Sequence, residues 1–260
     1  MIGVISGSGL YEIEGSVVTE KKRISTPYGS PSDSYTFSNF AGSKIIFLPR
    51  HGLKHTIPPH KINYRANLWG FRQLGVRKVI SIGATGGISS GMKPGTIVVP
   101  DQIIDMTTCR DSTFYDGGQE VVHVDFTAPY CSDLRKSIIA AAKNSGINMR
   151  EKGTYICTNG PRLETKAEIR FFSIIGADIV GMTAMPEASL ARELEICYAG
   201  IAVVTNYAAG ITKGRLTARE VVEVMHQSAG QVCRLLTESL KIIPSGSVCV
   251  CRETLREARV

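Results

Sequence analysis

The chain is poor in the features that would take it out of the ordinary soluble classes. No apolar stretch approaches the ~20 residues that a membrane-spanning helix needs. The first residues have neither the basic flank nor the small-residue cleavage site of a secretory signal, so a cytoplasmic protein is expected. Aromatic residues make up only 7% of the chain and do not interleave with the basic ones. That pattern argues against a stacking platform for nucleic acid, although the formal net charge is +7. Lys21-Lys22-Arg23 is the one tight basic run and reads as a solvated face. A mildly positive field favours small anionic substrates, phosphate among them.

Paired cysteines are also lacking. The seven, at 109, 131, 157, 197, 233, 249 and 251, are scattered and odd in number, which argues against a secreted disulfide framework. Only Cys249-Val250-Cys251 stand close together, and a zinc site would need a second such pair that the sequence does not offer. The two are expected to be spare thiols, with a disulfide between them, as in an intracellular protein from a hot habitat, the alternative. His51, His55 and His60, interrupted by Pro58-Pro59, match no familiar metal spacing, so no metal is expected.

What is present is an α/β pattern. Across 260 residues with no repeat or linker, one domain spanning 1–260 is expected, with a short tail from about 244. Short β-branched runs recur at Val4-Ile5, Ile45 to Leu48, Val79 to Ile82, Thr96 to Val99, Tyr155 to Cys157, Asp178 to Val180 and Ile201 to Thr205. Several are continuously apolar, as in strands covered on both faces. Thr165 to Glu168 and Thr217 to Glu220 have capping-box spacing, Pro186 is placed to start a helix, and Ser132 or Asp133 to cap another ending near Gly146. Strands alternating with helices give an α/β sandwich around a mostly parallel or mixed sheet.

The glycine-rich and polar turns fall after the strands, where sites in such sheets gather. Gly7-Ser8-Gly9 begins as a dinucleotide fingerprint would, but Glu12 stands where its third glycine belongs. The turn therefore either holds a single phosphate group or is a plain turn. Arg50 offers a planar fork that fits phosphate, and His51 can add a further donor. Gly83-Ala84-Thr85-Gly86-Gly87 lets a ligand approach the backbone. Gly181 to Glu187 carries a hydroxyl at Thr183 and a flexible surface at Met182, a residue type more often found in the core. Thr158 to Thr165 and Thr205 to Gly210 present Glu164 and Asn206, although Asn and Glu also serve local turns and caps.

Taken in order, Gly-Ser-Gly, Arg-His-Gly with His-Thr-Ile-Pro-Pro and Asn-Tyr-Arg-Ala-Asn, Ala-Thr-Gly-Gly, Gly-Pro-Arg-Leu-Glu-Thr, Gly-Met-Thr-Ala-Met-Pro-Glu and Thr-Asn-Tyr resemble the trimeric purine nucleoside phosphorylases, in the branch that contains methylthioadenosine phosphorylase. The resemblance runs from Ile2 to about Ile243. It implies a three-layer sandwich with a mixed central sheet flanked by helices, a homotrimer or dimer of trimers, and phosphorolysis of a purine nucleoside by inorganic phosphate. No metal or organic cofactor is implied.

By the same resemblance, Ser8, Arg50, His51, Ala84, Thr85 and Thr183 would hold phosphate. Met182 would lie against the ribose. His123 would cover its 5′ end across a subunit interface, and Ala218 and Val221 would line a methylthio pocket. Asn206, Ala208 and Glu164 would meet the base, with Asn206 and Glu164 the catalytic pair. Methylthioadenosine phosphorylases carry aspartates where this chain has Asn206 and Ala208, and a small hydroxyl residue where it has Glu164; both departures resemble phosphorylases of inosine and guanosine. A 6-oxopurine offers an acceptor at O6 and a donor at N1, which match an Asn amide and a Glu carboxylate. The expected substrate is therefore 5′-methylthioinosine, inosine or guanosine. The alternatives are a methylthioadenosine phosphorylase and, from another class, a nucleoside-binding protein without catalysis.

Overall fold

The computed structural model describes residues 1–260 apart from 119, 215, 245, 247 and 248. In chain order the strands are β1 (Ile2–Ser6), β2 (Val17–Lys22), β3 (Tyr35–Phe40), β4 (Ser43–Pro49), β5 (Lys78–Gly87), β6 (Ile97–Val98), β7 (Gln102–Asp105), β8 (Met149–Arg150), β9 (Thr154–Cys157), β10 (Ile179–Gly181) and β11 (Cys197–Tyr207). The helices are α1 (Tyr64–Gln73), α2 (Ser132–Asn144), α3 (Lys166–Ile174), α4 (Ala184–Glu193) and α5 (Ala218–Ile242).

They build a mixed sheet in the order β2-β3-β4-β1-β5-β10-β9-β7, with β11 also on β5, β6 on β11 and β8 on β6. The central β4, β1, β5 and β11 are parallel. One face of the sheet packs Val4, Ile80, Ile82 and Val203 against Leu134 and Ile138 of α2 and Leu235 of α5. The other packs Ile5, Val79 and Val204 against Leu68 and Phe71 of α1 and Leu190 of α4. This double covering is why those strands read as unbroken apolar runs. The expected α/β sandwich with a mixed sheet between helical layers is what forms.

Local chemistry sets the helix ends. Thr165 Oγ1 accepts from the Glu168 N–H at 3.1 Å while the Glu168 carboxylate accepts from the Thr165 N–H at 2.7 Å, a complete capping box for α3. At α5 only the first half forms, from the Glu220 N–H to Thr217 Oγ1 at 3.2 Å. For α2 the cap is neither Ser132 nor Asp133 but Cys131, whose Sγ accepts from the Leu134 N–H at 3.4 Å. The Cys131 N–H donates to the Tyr198 carbonyl at 2.8 Å, which ties residue 131 to the sheet and makes it the last non-helical position. Met185 and Pro186 keep non-helical angles, so the regular turns of α4 follow the proline, as expected from its fixed φ.

One irregularity of the sheet makes room for a site. Along one edge β5 pairs with β1 as far as Ile82 and with β10 from Gly86 onward, while β11 runs along its whole other edge. Gly83, Ala84 and Thr85 thus face a gap where the strand changes partner. Main-chain groups alternate between the two edges of a strand, so Ala84, midway between Ile82 and Gly86, aims its N–H into that gap.

Candidate active site

The gap is walled by the turns that follow β1 and β4. Ser6 lies opposite both Ile82 and Pro49, so Gly7-Ser8 and Arg50-His51 leave the sheet beside Gly83. A β-carbon on Gly7 would come within 2.9 Å of Arg50 Nη1 and 3.8 Å of His51 Nε2. On Gly83 it would lie 3.6 Å from Arg50 Nη1 and 3.9 Å from Thr183 Oγ1. The missing side chains therefore keep open a space where Arg50, His51 and Thr183 converge. The half-buried Ser8 hydroxyl stands in the same turn.

Arg50 and Glu187 are 1% and 0% exposed. Arg50 Nε and Nη2 donate to the two Glu187 oxygens at 2.9 Å each, Nη2 also reaches Ser81 Oγ at 2.6 Å, and Nη1 donates to the Ile82 carbonyl at 3.0 Å. Of five guanidinium N–H groups, one on Nη1 is left without a partner among the described residues, facing the Gly7 and Gly83 turns. Burial opposes the charge on Arg50, but the Glu187 carboxylate outweighs it and holds the guanidinium protonated. Ser81 and Tyr198 donate to Glu187 Oε2 at 2.9 and 2.7 Å, completing a network that the sequence did not reveal. The signal was a carboxylate at 187 within an otherwise apolar stretch.

His51 behaves differently from expectation. Burial and the adjacent Arg50 charge lower its pKa to about 4, against a weaker opposing effect of the Ile57 carbonyl, so the ring is neutral at pH 7. Its Nδ1–H donates to that carbonyl at 2.8 Å. Nε2, on the side of Gly7, therefore carries a lone pair and is an acceptor of hydrogen bonds, not the further donor expected. The Thr85 hydroxyl is also committed, donating to the Val203 carbonyl at 3.2 Å, so residues 84 and 85 meet the gap through the Ala84 N–H.

A second group of polar residues lies around the ends of four neighbouring strands, β11, β5, β10 and β9. Asn206 is opposite Gly86, Gly86 opposite Val180, and Val180 opposite Ile156. The Thr158 N–H donates to the Gly181 carbonyl at 2.9 Å, so the Thr158–Thr165 loop and the Met182–Pro186 segment leave the sheet side by side. Thr158 Oγ1 donates to Glu164 Oε1 at 2.7 Å, leaving Oε2 to accept from elsewhere. Burial pushes the Glu164 carboxyl above its ordinary range, and the Thr158 hydrogen bond opposes the shift. The Asn206 amide is 8% exposed, taking a hydrogen bond from Thr205 Oγ1 and donating one to the Tyr207 carbonyl, both 2.9 Å. One amide N–H remains without a partner among the described residues.

Other expected residues are placed differently. Ala208 is buried with Ile156, Ile169 and Phe172 in the apolar cluster around α3, which makes it core. Ala218 is exposed and Val221 half-buried on the first turns of α5, and Met225, one turn on, packs against Gly9. His123 is exposed, and its N–H donates to the Ala258 carbonyl at 2.8 Å, beside the chain end.

The metal reading needs one correction. Buried Cys249 and Cys251 meet Cys131 and Cys197, and the four sulfurs lie within 4.8 Å of one another. The fold thus brings together the second pair of thiols that the spacing concealed, in the donor number and type of a tetrathiolate zinc site. All seven cysteines are unbonded.

Comparison with known proteins agrees with this architecture. A family model described as the phosphorylase superfamily matches residues 1–241. The chain is 52% identical over 258 residues to a probable S-methyl-5′-thioinosine phosphorylase of Thermodesulfovibrio yellowstonii, covering 99% of this chain and 96% of that one. It is 47% identical over 263 residues to the 6-oxopurine nucleoside phosphorylase of Pyrococcus furiosus, covering 99% and 98% respectively. The solved structure of a methylthioadenosine phosphorylase sourced from an antarctic soil metagenomic library matches with a TM-score of 0.92 at 35% identity, covering 100% of this chain and 92% of that one. By sequence along nearly its whole length and by fold, the chain belongs to the phosphorylase superfamily.

Proposed function

We propose that the chain is a purine nucleoside phosphorylase that cleaves 6-oxopurine nucleosides, 5′-methylthioinosine, inosine or guanosine, with inorganic phosphate to give free base and (methylthio)ribose 1-phosphate. The observation that carries the reading is a pair of unshared polar groups: Glu164, in the loop after β9, has one carboxylate oxygen, and Asn206, on β11, one amide N–H, without a partner among the described residues, with only β10 and β5 between the two strands. The amide donates to O6 or N7 and the carboxylate accepts from N1–H. Adenine reverses that pattern, with a 6-amino donor and an N1 acceptor.

Phosphate sits in the gap at Gly83, against Ser8, Arg50, the Ala84 N–H and Thr183, with Nε2 of neutral His51 accepting a hydrogen bond from its remaining P–OH. As the glycosidic bond breaks, positive charge grows on the sugar and negative charge on the purine. The phosphate anion stabilises the first and the Asn206 amide the second, and both interactions strengthen in the transition state. Met182 lies along the ribose, and Ala218 and Val221 flank the 5′ substituent. The active form in this reading is a trimer, or a dimer of trimers, in which the exposed His123 segment reaches a neighbour. Seven unbonded thiols suit the reducing cytoplasm.

The test is product release from inosine, guanosine, methylthioinosine and methylthioadenosine, each with and without phosphate. Phosphate-dependent release of hypoxanthine or guanine, with adenine disfavoured, is expected. Preference for methylthioadenosine overturns the base assignment, and no release from any substrate overturns catalysis.

A further inference from the structure

Arg110 follows β7 and spends its side chain on main-chain carbonyls. Nη1 donates to Met182 O at 2.9 Å and Met185 O at 2.6 Å, and lies 3.2 Å from Tyr64 Oη. Nη2 donates to Thr158 O at 3.2 Å and Asn159 O at 2.9 Å. The first two carbonyls flank Thr183, and the other two open the loop that carries Glu164. One further contact holds the guanidinium, and another ties its own loop to Asn159. The guanidinium carbon lies 5.4 Å from the centre of the Tyr64 ring, and Thr108 exchanges hydrogen bonds with the Asn159 side chain, at 2.8 and 3.1 Å. Where the two loops touch directly there is no slack, since a β-carbon on Gly160 would lie 2.4 Å from Met182 Sδ.

We propose that Arg110 is a positioning residue that sets the spacing between the base-recognition loop and the phosphate-and-sugar loop. The inference rests on the functional reading above, in which Glu164 meets the purine while Thr183 and Met182 meet phosphate and ribose. In phosphorolysis the attacking oxygen, the anomeric carbon and the departing nitrogen must be aligned, so an error in loop separation is an error along the reaction axis. Four carbonyl oxygens turned toward one point repel one another; a planar cation with donors on two nitrogens offsets that repulsion and fixes their separation. Lysine, a single ammonium with three donors, cannot span both pairs.

The test is steady-state kinetics of the full-length Arg110→Ala and Arg110→Lys variants with inosine and phosphate, alongside circular dichroism and melting curves. A displacement of about 1 Å costs on the order of 100-fold in rate, and a kcat loss of that order is expected in both variants. The KM for inorganic phosphate, which keeps its contacts from β1, β4 and β5 and loses only the placement of Thr183, is expected to rise by a much smaller factor than kcat falls. Methylguanidinium in the assay is expected to restore part of kcat to Arg110→Ala and none to Arg110→Lys, whose side chain occupies the space. Wild-type kcat in either folded variant overturns the proposal, as does a loss that follows the unfolded fraction without rescue. If Arg110→Ala does not fold, Arg110→Lys decides alone: a kcat loss per folded molecule with a much smaller change in phosphate KM supports the proposal, and wild-type kcat per folded molecule overturns it. A wild-type protein without phosphate-dependent cleavage fails the functional reading, a result distinct from a working enzyme indifferent to residue 110.

Discussion

Arg50 and Glu187, 137 positions apart in the chain, meet in the interior through two hydrogen bonds of 2.9 Å. The pair joins the turn after β4 to the first regular turn of α4, and so links two walls of the gap at Gly83. Its partners Ser81 and Tyr198 come from β5 and β11. A buried pair of this kind costs desolvation energy that its mutual attraction only roughly repays, so its role here is to aim one N–H of Arg50 at the pocket rather than to add stability.

Glu187→Ala leaves the Arg50 charge buried and unpaired and is expected to cost about 3–5 kcal/mol, seen as a lower urea midpoint, together with a raised KM for phosphate. Replacing both partners by apolar residues, Arg50→Met with Glu187→Leu, is expected to recover most of the stability and none of the phosphate affinity. If the double variant binds phosphate as the wild type does, the pair is not part of the pocket.

The pKa of His51 falls to about 4 in the folded chain, mainly through burial and then through the Arg50 charge, from an ordinary 6.5. Between those two values the unfolded chain takes up a proton that the folded chain refuses. The His51 contribution to stability is therefore complete above pH 6.5 and declines as pH falls toward 4, by on the order of 3 kcal/mol in all. Urea unfolding at a series of pH values in that window is expected to show a steeper loss for the wild type than for His51→Asn. Equal slopes would mean that His51 titrates normally.

The four-sulfur cluster holds the end of the chain against α2 and β11, with Cys249 and Cys251 each 3% exposed. Cys251→Ser puts a hydroxyl among sulfurs that pair with it poorly, and a loss of about 1–3 kcal/mol is expected in urea unfolding. The same measurement on the wild type separates the reasons: a midpoint lowered by reductant marks a cross-link, one lowered by chelator marks a bound metal, and one indifferent to both marks packing. Stability unchanged in Cys251→Ser would show that the cluster does not anchor the tail.

What was legible in the sequence is what depends on near neighbours. Thr165 and Glu168 are three residues apart, and their reciprocal cap follows from that spacing alone. Unbroken apolar runs such as Ile45 to Leu48 are buried on both faces, and periodicity reports that directly. By contrast β2 is exposed at every position and shows no alternation; it is an edge strand, and Lys21 and Lys22 on it discourage further pairing. α1 was hidden because Asn67 and Gly70 sit among its buried residues, where apolar side chains would have marked the helix face.

The site divides in the same way. The glycine turns, Arg50 and Thr183 announce themselves by residue type at strand ends. The proton state of His51 depends on burial and on Arg50 and its tautomer on the carbonyl of Ile57, the Thr85 hydroxyl is taken by Val203, and Cys131 meets Cys249 only after the sheet has formed. Each is a tertiary partner that no local pattern encodes.

Base choice is the sharpest consequence of the Glu164 and Asn206 pair. Asn206→Asp together with Glu164→Ser removes the acceptor for N1–H and supplies a carboxylate for a 6-amino group, so the ratio of kcat/KM for methylthioadenosine over methylthioinosine is expected to rise by at least about 10²-fold. That is short of the 10⁴ that a fully complementary polar site achieves, because Thr158, which donates to Glu164, is left without its acceptor. Each single variant is expected to lose activity on 6-oxopurines without gaining it on adenine, since one matched edge cannot offset one mismatched edge. A ratio that stays at the wild-type value in the double variant, with both activities falling equally, would show that these residues shape the pocket and do not recognise the ring.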